Sequence, residues 1–76
     1  MIKFIGNWVF ASQLFKNANP SPIAINLQEV QTVCERYHAD IGNHVVIILN
    51  TQNCVPIEGN IIEIMAEFQK HLQTMY

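Results

Sequence analysis

The run "HVVIIL", His44 to Leu49, restricts the fold more than any other stretch of this chain. It is apolar without interruption from Val45 and β-branched from Val45 to Ile48, the pattern of a strand buried on both faces of a sheet. Such a strand needs paired neighbours and cover above and below, all drawn from 76 residues. A chain of this length forms one domain and hides only roughly 60–65% of the surface that its unfolded form exposes. Its solitary core is therefore expected to be marginal.

Composition sharpens that expectation. Hydrophobic residues make up 50% of the chain and charged residues 13%, about half of the roughly 25% usual in soluble domains. The polar surface comes instead from eight Asn and six Gln, and this balance predicts a homo-oligomer that hides one face. Lys3, Lys16, Arg36 and Lys70 are spread along a chain of net charge −2. Without a basic stripe to neutralise phosphates, duplex nucleic acid is not an expected partner; a single nucleotide or short oligonucleotide, needing one or two cations and a few N–H groups, is compatible with this inventory. Cys34 and Cys54 are too few for a disulfide scaffold, and the N-terminus lacks the pattern of a signal peptide, so a reduced, cytoplasmic protein is expected. No apolar run approaches the roughly 20 residues of a membrane span.

"MIKFIG" alternates Ile2 and Phe4 with Lys3 and reads as a half-buried strand ending at Gly6-Asn7. "WVFASQLF" reads as a second strand running into a loop that ends at "NANPSP", where Pro20 and Pro22 interrupt regular hydrogen bonding. Beyond the strand-like Ile23-Ala24-Ile25, two readings compete. Asn26 and Glu29 have the form of a capping box, and Leu27, Val30, Val33, Cys34 and Tyr37 recur at helical spacing. Yet Val30, Thr32, Val33, Cys34 and Tyr37 are mostly β-formers. Gly42-Asn43 marks a turn before the central strand, "NTQN" turns the chain again, and Pro56 confines "CVPI" to an edge or demands a bulge. Asn60, with Glu63 at the capping-box position and Gly59 before it, predicts a terminal helix. Its apolar residues Ile61, Ile62, Ile64, Met65, Phe68, Leu72 and Met75 span a wider arc than one sheet requires, so either the sheet curls around it or a second subunit covers the rest.

From Pro22 onward the chain resembles the small flagellar-operon proteins of the FlbD/SwrD type. The matching segments are the initial "MIKF", "IAIN", Val30 and Val33 at four and seven positions after Asn26, "VVIIL" and "VPIEGNIIEIM". The resemblance covers about 55 residues and rests on apolar spacing. It implies a brief turn followed by a strand over Val30–Tyr37, and a non-enzymatic accessory role in motility. The stretch from Ile5 to Ser21 is longer than the family's link between its first strands, and "NTQN" replaces its Asn-Gly hairpin.

Chemistry-bearing residues are sparse. Cys34, His38 and His44 have the spacing C-x₃-H-x₅-H, which matches no standard zinc module, so no metal and no cofactor is expected. Cys34 with His38 or His44 and Asp40 has the residue types of a nucleophilic triad without any specific spacing, and the three glycines are isolated, which excludes a Gly-rich phosphate loop. An enzyme is not expected. Arg36-Tyr37-His38 is the one place where a cation, a ring and an imidazole are consecutive, a mixture suited to stacking on a base and holding a phosphate. "GNWVFASQLFKN" carries Trp8, Phe10 and Phe15 with Lys16 as its single charge, and its rings are expected at a subunit boundary. If Val30–Tyr37 is a strand, Cys34 and Cys54 are expected to face each other across the sheet. The expectation is an α+β domain of four or five antiparallel strands and one C-terminal helix. It is read as a homo-oligomeric binding protein whose ligand-contacting residues are Trp8, Phe10, Phe15, Lys16, Arg36, Tyr37 and His38. Its partner is a protein or a small nucleotide signal, in the format common among phage counter-defence proteins.

Overall fold

A computed structural model describes residues 2–75, with helix side chains through residue 71. It contains β1 (Lys3–Ile5), β2 (Trp8–Gln13), β3 (Ser21–Asn26), a 3₁₀ turn (Leu27–Glu29), β4 (Val30–His38), β5 (Gly42–Leu49), β6 (Cys54–Ile57) and α1 (Ile61–Met75). All strand pairings are antiparallel. The α+β class is as expected, with six strands in place of four or five. The sixth is β4, the segment over which helix and strand compete in the sequence.

The sheet runs β1-β2-β6-β5-β4, and β3 lies on the opposite edge of β2 from β1 and β6. Gly6, at φ +58°, makes the two-residue turn that pairs Ile5 with Trp8. Hairpin turns of this length favour positive φ because their twist then matches that of the strands. Pro22 lies inside β3, opposite Ser12, and does not interrupt it. As β3 pairs only with β2, a missing N–H on its outer edge breaks no ladder bond.

The ambiguous segment resolves as a cap followed by a strand. The Asn26 side chain accepts the Gln28 N–H at 3.0 Å, as a helix cap does, but the helix lasts one 3₁₀ turn. Backbone bonds then take over: Asn50 donates its N–H to the Glu29 carbonyl at 2.8 Å, and β4 pairs with β5 from Val30↔Leu49 to His38↔Gly42. Pairing along the central strand outweighs a helical spacing that β-branched residues support poorly.

β5 is covered on both faces. Val45 and Ile47 point to the helix side, where Ile64 and Phe68 complete a core with Val9, Ile25, Val55 and Ile57. Val46 and His44 point the other way and are also buried. β6 is not the edge strand that Pro56 implied, since it lies between β5 and β2. The Pro56 carbonyl accepts the Leu14 N–H at 2.9 Å, so its nitrogen also faces β2, which pairs with β6 only at Gln13↔Ile57. The ladder to β5 therefore loses no donor.

Asn60 caps α1 as expected, its Oδ1 accepting the N–H groups of Ile62 at 2.9 Å and Glu63 at 3.3 Å. Phe4 meets Phe68 edge-to-face at 5.0 Å and stacks on His71 at 4.9 Å, while His71 Nε2 lies 2.9 Å from the Gly6 carbonyl. Together these contacts tie the helix to the first hairpin. The wide apolar arc is covered in part, for Ile64 and Phe68 are buried while Ile62 and Met65 are exposed. The side chains of Leu72 and Met75 fall outside the described residues. No helix is long and apolar enough to cross a membrane among the described residues.

Candidate functional site

The outer face of the β4-β5-β6 sheet is where the chemistry gathers. Arg36 pairs with His44, and Cys34 with Val46, which in turn pairs with Pro56, so these residues share the face turned away from the helix. After Gln13 the chain leaves β2 and lays Leu14, Phe15 and Lys16 beside that face. The result is a cleft of about 610 Å³. Its floor is apolar (Val46, Pro56, Ile41), and its walls carry Phe15, Lys16, Arg36, His38 and His44.

Charge is concentrated here. Two of the four Lys/Arg residues and two of the three histidines line the cleft, and no carboxylate does. One acid, Asp40, stands at the rim in the β4–β5 turn, where it pairs with Lys16 at 3.4 Å and lies 3.9 Å from His38 Nδ1, the Lys16 and Asp40 side chains being more than half exposed. An exposed pair of this kind contributes about 0–1 kcal/mol and yields readily to a competing anion. Arg36 makes no ion pair among the described residues. The imidazoles are oriented locally: Asp40 donates its backbone N–H to His38 Nδ1 at 3.1 Å, and His44 Nδ1–H donates to the Gly42 carbonyl at 2.9 Å. In the neutral form His38 thus carries its proton on Nε2 and presents a donor, while His44 presents an acceptor.

Five of the seven residues singled out from the sequence meet at this cleft: Phe15, Lys16, Arg36, Tyr37 and His38. The consecutive trio does not act as one surface, however. Strand alternation puts Arg36 and His38 on the outer face, while Tyr37, paired with Asn43, belongs to the helix-side face and only borders the cleft. The ring best placed to stack is Phe15, brought from β2's far end.

Trp8 and Phe10 lie elsewhere. They point outward from the β1-β2-β3 hairpins beside Ile5 and Ala24 and do not line the cleft. At 47% and 41% exposed they form an open apolar face. The three rings expected at one boundary are therefore split between two places. The thiols also depart from expectation: Cys34 and Cys54 share a face, but β5 lies between them. Two strand spacings and a two-residue stagger put their Cα atoms about 12 Å apart, beyond the roughly 7 Å that a disulfide spans.

Ile41 and Leu14 are cleft residues that spacing arguments miss, and His44, weighed in the sequence only as a metal ligand or a base, joins them as a binding residue. The signal for His44 was its place before a two-sided apolar strand, where a polar residue must find a partner. Among the described residues no three His, Cys, Asp or Glu side chains gather as a metal site, and no buried side-chain nitrogen or oxygen lacks a hydrogen-bond partner. Comparisons with protein-family models, with curated proteins and with solved structures find nothing that matches this chain.

Proposed function

We propose that the protein binds, without catalysis, a small phosphate-bearing ligand with an aromatic base, and that the outer cleft is the site. The observation that carries this reading is the cleft's composition: Lys16 and Arg36 with no lining carboxylate, the Phe15 ring, and an apolar floor. Arg36 suits a phosphate because its planar fork of donors matches two oxygens at once. Phe15 offers a stacking face for a base, and His38 a further donor. A single nucleotide needs no more cations than these, which reconciles an anion site with a chain of net charge −2.

The absence of catalysis is part of the proposal. Both cleft imidazoles are engaged with their own turn, at Asp40 N–H and the Gly42 carbonyl, and not with a thiol or hydroxyl. A binding domain of this size acts by sequestering a nucleotide signal or by inhibiting a partner, the use made of such formats by phage counter-defence proteins. A second reading, a flagellar accessory protein of the FlbD/SwrD type, is favoured by one observation: the brief turn Leu27–Glu29 followed by strand Val30–His38 is the order that resemblance implies. Gene neighbourhood separates the two.

Calorimetric titration tests the site directly. Adenosine and guanosine monophosphates and a cyclic dinucleotide are compared with the bare nucleosides and inorganic phosphate. Binding is expected only where base and phosphate occur together, weakened at least ten-fold by Arg36→Ala or Phe15→Ala. Failure of every nucleotide to bind at millimolar concentration, or affinity unchanged in Arg36→Ala, refutes the reading.

A further inference from the structure

β4 is the terminal strand of the sheet, and its outer edge is unpaired over Val30–His38. Strand edges are usually blunted by proline, lysine, short length or a bulge, because unpaired N–H and C=O groups recruit another strand. The other terminal strands are blunted: β1 has three residues and begins with Lys3, and β3 carries Pro22. β4 is the longest strand of the sheet, has neither proline nor lysine, and is bulged only near its start, between Val30 and Thr32.

Two further features lie along that edge. On the helix side, between β4 and α1, is a groove of about 410 Å³ lined by Leu27, Val30, Gln31, Val33, Met65 and Phe68. Near the other end of the strand, on the same face, is Tyr37, which is 73% exposed. A ring so exposed and a groove so apolar, on one face of one free edge, complement each other only between two molecules.

We propose that two copies of this chain pair through β4, antiparallel about a two-fold axis at Cys34, with Tyr37 of each copy seated in the other's groove. Strand length and charge together select the register. Cys34 is the midpoint of Val30–His38, so centring there pairs the whole strand, while centring on Glu35 or Arg36 shortens the ladder and sets like charges directly opposite, which is unfavourable. Centring on Cys34 sets Arg36 opposite the partner's Thr32 and Glu35 opposite the partner's Val33. The same register sets Tyr37 opposite the partner's Gln31 and diagonal to its Val33, where the groove opens. A two-fold normal to the sheet keeps the helix-side faces together, so each ring meets a groove and the contact is isologous. This gives the self-association expected from the low charge content a specific surface, distinct from Trp8 and Phe10. It does not require a bound ligand, although Arg36 and Tyr37 of this edge also reach the cleft.

Sedimentation equilibrium and thiol cross-linking test it together. In a Cys54→Ser background, Cys34 is the only thiol, and paired strands put the two Cys34 Cα atoms about 4.5–5.5 Å apart, within disulfide reach. The expected results are a dimer near twice 8.7 kDa and a covalent dimer on treatment with diamide, which takes two electrons and two protons from the thiol pair. Tyr37→Ala is expected to raise the dissociation constant at least ten-fold with circular dichroism unchanged. Thr32→Lys weakens the dimer by facing the partner's Arg36, Thr32→Glu strengthens it, and Trp8→Ala leaves it intact. A chain that stays monomeric at 100 µM (roughly, well above the range of stable dimers) overturns the proposal and leaves β4 to an extended segment of another protein. So does a dimer that forms without the Cys34 cross-link and is indifferent to Tyr37 and Thr32, or one that Trp8→Ala dissociates.

Discussion

Replacing Asn60 by alanine isolates the interaction that starts the helix, which carries Ile64 and Phe68 into the core. Asn60 Oδ1 accepts two N–H groups, those of Ile62 at 2.9 Å and Glu63 at 3.3 Å, whereas its carbonyl, which takes the Ile64 N–H at 2.9 Å, survives the substitution. The lost bonds lie at an exposed helix end, so water reaches the freed donors and the full penalty of a buried unpaired group does not arise. Cap removals of this kind cost about 0.5–2 kcal/mol, with about 1 kcal/mol typical. Here the longer of the two bonds adds little, and a loss of about 1 kcal/mol is expected, or a fall in Tm of about 4–8 °C for a domain of this size. Asn60→Asp should match the parent, because aspartate caps equally well and its charge suits a helix N-terminus, while Asn60→Gly should lose only a few tenths. Urea titration of all four proteins at one fixed concentration reads the series, concentration being held because self-association shifts apparent stability. An unchanged midpoint for the alanine variant, or a glycine variant less stable than the alanine one, contradicts the capping argument.

Three further outcomes follow from other parts of the structure. Gly59→Ala should destabilise more than Asn60→Ala, by about 1–3 kcal/mol, because φ is +141° and the new Cβ lies 2.7 Å from Cδ1 of buried Ile64; thermal melts check it. Trp8→Ala should keep a cooperative fold and lose less than about 1.5 kcal/mol, since its ring is half exposed on the face away from the core, and a collapsed near-UV signal would contradict that placement. Treatment with a strong chelator should leave far-UV circular dichroism and Tm unchanged, whereas unfolding on chelation would bring Cys34, His38 and His44 back as ligands.

What the sequence made legible was what it encodes locally. Val45–Ile48 declares a two-sided strand through β-branching alone, and Asn60 with Gly59 declares a helix start within a few residues. The segment after Asn26 was not decidable in this way. Its cap is real, its apolar spacing fits a helix, and only the distant bonds from Asn50 and the ladder to β5 make it a strand. The cleft was half legible for a related reason: Lys16 and Arg36 are conspicuous as scarce cations, but nothing near Phe15 indicates that it will lie beside Val46 and His44. Tyr37 illustrates the converse. Adjacent in sequence to Arg36 and His38, it is parted from them by strand alternation, and consecutive residues looked like one site only while the secondary structure was open.

The outer cleft as a nucleotide site is the central claim, and a nitrogen–proton correlation spectrum recorded during titration with a nucleoside monophosphate tests it residue by residue. Saturable shifts are expected at Phe15, Lys16, Arg36, His38 and His44, and in the Leu14–Pro20 segment beside them. Little change is expected at Trp8, Phe10 and the Val33–Met65 groove. Shifts centred on Trp8 and Phe10, or a spectrum that does not move at millimolar ligand, contradict the claim.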